Sequence, residues 1–95
     1  MNEIFAIYDH KAELYMEFFK ERNKATAIRA VMAAMEDVNH PIRKNATDYS
    51  LFHIATWDPE LGTFTKAQET GNKHVTDCWI LRAKIENDQK IEGEE

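Results

Sequence analysis

The chain has one cysteine, three glycines and two prolines in 95 residues, and each scarcity closes off a class of protein. A lone Cys78 cannot form an internal disulfide and lacks the companion thiolates that a structural zinc site prefers, so the fold must hold without either staple. The sequence contains no Gly-rich phosphate loop and no dinucleotide-binding fingerprint. No apolar run approaches the roughly 18 residues that a membrane helix needs. The start Met1-Asn2-Glu3 lacks the basic n-region of a secretory signal. Both features lead us to expect a cytosolic protein with no membrane partner. Lys and Arg number 12 against 17 Asp and Glu, a net charge of −5, which argues against a generally basic nucleic-acid binder.

What is present fits one soluble domain: 43% hydrophobic, 31% charged and 11% aromatic residues. A chain this short hides only about 60% of its unfolded surface, so its core is thin and a homodimer is one way to cover apolar leftovers. Charge is uneven along the chain. Residues 86–95 hold Glu86, Asp88, Glu92, Glu94 and Glu95 against Lys90 alone, net −4, and read as an acidic, frayed tail on a domain of residues 1–85. Between 20 and 44, Lys20, Arg22, Lys24, Arg29, Arg43 and Lys44 outnumber Glu21, Glu36 and Asp37, a local excess of +3. That patch is either a solvated helix face or a phosphate-contacting surface.

Residues 3–8, Glu-Ile-Phe-Ala-Ile-Tyr, read as a buried strand ended by a turn at Asp9. Residues 12–22 suit a helix or an aromatic-rich extended segment equally well. From Asn23, a capping residue, Ile28, Val31, Met32, Met35 and Val38 recur at helical offsets and predict the main helix over 23–38, with the methionines as core filling. Asn39-His40-Pro41 should end it, because the residue before a proline is pushed away from helical dihedrals; a polar loop to Thr47 follows. Residues 48–57 and 63–65, joined by Asp58-Pro59-Glu60-Leu61-Gly62, predict a hairpin. Residues 75–85 fit a third strand or a second helix. The resulting fold class is α+β, a small antiparallel or mixed sheet with one main helix across one face.

Catalytic chemistry finds little support. Ser50, His53 and Asp48 are the residue types of a hydrolase triad, but strand alternation puts Ser50 and His53 on opposite faces. His74 and Cys78 are two metal ligands at most. We therefore expect no enzyme, no metal and no cofactor. The rings Tyr8, Tyr15, Phe18, Phe19, Tyr49, Phe52, Trp57, Phe64 and Trp79 are many for so small a core. Exposed rings beside cations are what single-strand binding requires, since every base has a face to stack. Tyr15 and Trp57 are the rings singled out, with Lys20, Arg22, Lys24, Arg29, Arg43 and Lys44 for phosphate. Arg29 has a structural alternative, pairing with Asp9, Glu13 or Asp48.

The order Ile7-Tyr8-Asp9-His10-Lys11-Ala12-Glu13-Leu14-Tyr15, Phe18-Phe19, Ala27-Ile28-Arg29, Asp48-Tyr49-Ser50-Leu51-Phe52-His53-Ile54 and Trp57-Asp58 with Gly62 and Phe64 resembles the small nonstructural protein of gokushoviruses, the single-stranded DNA microviruses. The resemblance covers residues 4–66, while 67–95 align with nothing. It departs from the family where Met16-Glu17 replace a proline position and Ala55 a glycine. The resemblance implies a protein made in the host bacterial cytoplasm, absent from the capsid, and acting on single-stranded DNA in genome replication or packaging. The alternative is an adapter that contacts replication or procapsid proteins without touching DNA. No catalytic residue is implied.

Overall fold

The computed structural model describes the backbone of residues 2–93 and the side chains of residues 2–88. In chain order the elements are β1 (Asn2–Asp9), β2 (Leu14–Tyr15), β3 (Phe19–Glu21), α1 (Lys24–Ala34), α2 (Pro41–Lys44), a 3₁₀ turn (Ala46–Asp48), β4 (Tyr49–Asp58), β5 (Thr63–Lys66), β6 (Lys73–Asp77) and α3 (Cys78–Gly93). Among the described residues the six strands form one antiparallel sheet, effectively four strands wide. β4 is its spine. It pairs with β1 from Asp58's neighbour Trp57 back to Tyr49, while β5 and β6 share its other side. β2 and β3 together make the far edge along β1. The sheet is therefore antiparallel throughout, and the segment 12–22 holds two short strands, Leu14–Tyr15 and Phe19–Glu21, in place of a helix, with Ala12 and Glu13 in the preceding turn.

The helices cover one face. Phe5, Ile7 and Leu51 from the sheet pack with Ala27, Val31 and Met35, with Ile42 and Ala46, and with Cys78 and Leu81. The fold is α+β as expected, an antiparallel sheet with α1 across one face, and α3 joins α1 over the same core, its Cys78, Leu81 and Ile85 spaced along one helical stripe. The ambiguous run 75–85 is both elements in succession, strand to Asp77 and helix from Cys78. The helix carries on through the acidic segment to Gly93; Glu94 and Glu95 lie outside the described residues.

Local chemistry sets the boundaries. Asn23 caps α1 by accepting from the Thr26 amide at 2.9 Å while the Thr26 hydroxyl accepts from the Asn23 amide at 3.2 Å, a reciprocal capping box. α1 stops at Ala34, earlier than the predicted Val38. The Asp37 carboxylate accepts the Asn39 amide at 2.9 Å and the Asp37 carbonyl that of His40 at 3.0 Å, so these groups serve a turn instead of a helix. Val38 is left exposed. Pro41 opens a new helix, because its missing N–H costs nothing at the first helical position and His40 Nδ1 caps it through the Ile42 amide. The expected polar loop is accordingly mostly structured, with Ile42 and Ala46 in the core.

Candidate nucleic-acid interface

Two irregularities in pairing decide what the uncovered face of the sheet carries. Strict alternation along β4 would send Phe52 and Trp57, five residues apart, to opposite faces. The β1–β4 register shifts by one between Ile4 and Phe5, a bulge at Ile54. Phe52 therefore lies opposite Ala6 and Trp57 opposite Asn2, both on the face away from the helices. A second shift, at Val75 of β6, likewise puts His74 beside Phe52 and Asp77 beside Ser50 on that face.

The result is an aromatic platform. Tyr8 and Tyr15 lie 4.7 Å apart between ring centroids, with Phe52 at 6.1 and 5.7 Å from them and His74 5.4 Å beyond Phe52. Trp57 and Phe64 form a second cluster at 4.8 Å. Tyr15, Phe18 and Phe64 are 41%, 65% and 63% exposed, so these rings are not filling the core. Phe19 and Tyr49, by contrast, pack against it from the helix side, and Trp79 stands half-exposed on α3. Between the clusters, Ile4, Phe18, Ile54, Ala55 and Phe64 line a shallow slot of about 240 Å³.

A polar chain borders the platform. The Ser50 hydroxyl donates to Asp77 Oδ1 at 2.6 Å, which spends its one proton; His10 Nε2, 2.8 Å from Ser50 Oγ, must then be the donor to it. His74 Nε2 donates to the same Asp77 oxygen at 2.9 Å. The Ser50 and His74 donors hold the Asp77 carboxyl below its usual range, against a smaller opposing effect of burial. A serine whose proton is held by a carboxylate and whose histidine neighbour donates is not set up as a nucleophile. His53 lies across the sheet, where its Nε2 and the Thr56 hydroxyl both donate to Glu3 at 2.8 and 2.6 Å and depress that carboxyl, Thr56 most strongly. A cavity of about 310 Å³ near Glu3, Asn23, Lys24, His53 and Lys73 carries mixed charge. His74 and Cys78 share no helix, and burial pushes the Cys78 thiol up to about 12. Among the described residues no group of three His, Cys, Asp or Glu could hold a metal ion.

The six cations read from the sequence do not converge. The register of Lys20 with Ile4 puts it on the platform face, together with Tyr15 and Trp57. Arg22 sits in the bend before α1, and Lys24 and Arg29 are exposed on α1 itself, in the helix layer. Arg29 forms no ion pair with Asp9, Glu13 or Asp48 among the described residues. Lys44 is exposed at the end of α2. Arg43 must be withdrawn from the set: it is 9% exposed and its guanidinium donates to the Met35 carbonyl at 2.7 Å, tying α2 to the end of α1. Its own carbonyl accepts from Arg82 at 3.1 Å, which brings in α3. The sequence reading missed Lys66, which the register with Ala55 places on the platform face. It also gave no special place to Tyr8, Phe52 and Phe64. Their aromatic character was visible, but the bulge that aligns them depends on a partner strand 50 residues away.

No helix among the described residues is long and apolar enough to cross a membrane. No curated protein and no solved structure matches the chain. The family model described as Phage ORF5 protein matches residues 2–79, further than the residue-66 limit of the motif resemblance and taking in every strand of the platform. The chain belongs to the Phage ORF5 protein family.

Proposed function

We propose that this phage protein is a nonstructural accessory factor in single-stranded DNA genome replication or packaging, working in the host bacterial cytoplasm, and that it binds the strand across the uncovered face of its sheet. The observation that carries this reading is the presence of Tyr15, Phe18 and Phe64, exposed, beside Tyr8, Phe52 and Trp57 on one face. Exposed rings are costly to maintain in water and are the platform on which unpaired bases stack. Duplex DNA offers no free base faces to such a surface. The gokushovirus resemblance points the same way.

Fluorescence anisotropy of a labelled deoxythymidine oligonucleotide, with quenching of Trp57 emission as a second readout, tests it. Trp79 emission is removed beforehand by Trp79→Phe. Tyr15→Ala and Phe64→Ala should each weaken binding by about tenfold, the effect of about 1–3 kcal/mol per stacked base. Absence of binding at tens of micromolar protein in low salt overturns the proposal. A second reading, a homodimer or an adapter for replication or procapsid proteins, draws on one feature. An apolar groove of about 390 Å³ runs between α1 and the β2–β3 edge, lined by Met16, Phe19, Ala30 and Ala34 among others. Light scattering with and without oligonucleotide separates the two.

A further inference from the structure

The slot between the two ring clusters has a composition that fits one kind of occupant. Its floor is Ile4 and Ala55, adjacent across β1 and β4; its walls are Phe18, Ile54 and Phe64. No polar side chain lines it. Each floor residue has a lysine as its outer neighbour in the ladder, Lys20 opposite Ile4 on β3 and Lys66 opposite Ala55 on β5. Both lysines share the face of the slot and are exposed, and neither is in an ion pair among the described residues. An apolar recess flanked by two lysines, whose backbone positions lie about 14 Å apart over three strand spacings and whose long flexible stems let the ammonium groups reach inward, is complementary to an apolar group carried between two anions. In a single strand that group is a base and the anions are its flanking phosphates.

We infer that this slot takes one base of a single DNA strand crossing the sheet, with Lys20 and Lys66 on the phosphates to either side, and that it selects thymine; the inference rests on the single-strand reading above. The selectivity follows from the lining. An apolar wall gains from the thymine C5-methyl, which cytosine lacks, while the polar edges of both bases are equally without side-chain partners in the slot. Uracil lacks only the methyl, so the comparison of thymine with uracil isolates the contact.

The test is a competition among deoxythymidine, deoxyuridine and deoxycytidine octamers of equal length at low salt. Thymidine should bind about fourfold more tightly than deoxyuridine, the value of one buried methyl, with deoxycytidine weaker than thymidine. Phe18→Ala removes an exposed wall and should bring the thymidine-to-deoxyuridine ratio to one. Ala55→Leu, which fills the floor, should do the same, with circular dichroism reporting whether the variant folds; Phe18→Ala decides the matter if it does not. Equal affinity for thymidine and deoxyuridine octamers overturns the slot and leaves single-strand binding standing. A preference that survives Phe18→Ala also overturns it. No binding of any octamer removes the slot and the single-strand reading together.

Discussion

Salt is the perturbation that best separates a stacking surface from a phosphate-gripping one. Each phosphate neutralised on a single strand contributes about −0.7 to the slope of log K against log salt. The six cations clustered in sequence between 20 and 44 would together give about −4, and a rise from about 50 to about 200 mM salt would then cost about 300-fold in affinity. The fold disperses them. Arg43 is buried on the Met35 carbonyl, Lys24 and Arg29 belong to the helix layer, Arg22 sits in the bend before α1 and Lys44 at the end of α2, leaving Lys20 and its counterpart Lys66 on the strands of the ring-bearing face. Two contacts give a slope of about −1.4 and a loss of only about sevenfold over the same range. Anisotropy titrations of a thymidine oligonucleotide at four or five salt concentrations measure it. Lys20→Ala and Lys66→Ala should each flatten the slope by about 0.7, and Arg29→Ala should leave it unchanged. A slope of −3 or steeper, or one that Arg29→Ala flattens, refutes the placement of the strand on the sheet.

Three further outcomes are expected. Arg43→Ala should cost about 2 kcal/mol in urea unfolding, the range for a buried hydrogen bond from a charged group, and leave oligonucleotide affinity as it was. Asn23→Ala should cost about 1 kcal/mol through loss of the α1 cap, read from the same unfolding curves. Asp77 titrates below its usual range in the folded state, so the folded protein holds that proton less tightly than the unfolded chain. Its stabilising contribution is complete above about pH 4 and is lost as pH falls through the folded value. The deficit of Asp77→Asn against the parent in urea should accordingly be greater at pH 7 than at pH 3; an equal deficit at both would show that the charge of Asp77 is not what Ser50 and His74 stabilise.

How far the sequence could be read depended on the range of the interaction involved. The Asn23 cap, the turn at Asp9, the 58–62 hairpin and the burial of Met35 are local, and each follows from a few neighbouring residues. The end of α1 was misplaced because Asp37 captures the Asn39 amide, a competition between two local structures of similar strength. The segment 12–22 stayed open for a different reason. Its rings are spaced for a helix, and pairing with β1 in two pieces overrides that spacing. At the candidate site, Tyr15 and Trp57 were identified as rings to test and do share a face. The cations were grouped by nearness in the chain, which is a poor guide once α1 turns its exposed residues to the other side of the sheet. The bulge at Ile54 left no mark of its own in the sequence, since it exists only as a mismatch between β1 and β4.

The sealed position of Cys78 makes it a clock for the whole molecule. It is fully buried where α3 begins, in contact with the core under both long helices, and its proton is held up to about 12. A thiol so placed reacts with disulfide reagents only when the helix lifts away. As the chain's single sulfhydryl, it gives one labelling rate, free of competing sites. That rate would time the departure of α3 directly, and slowing of it by added oligonucleotide would report tightening transmitted through the sheet from the opposite side.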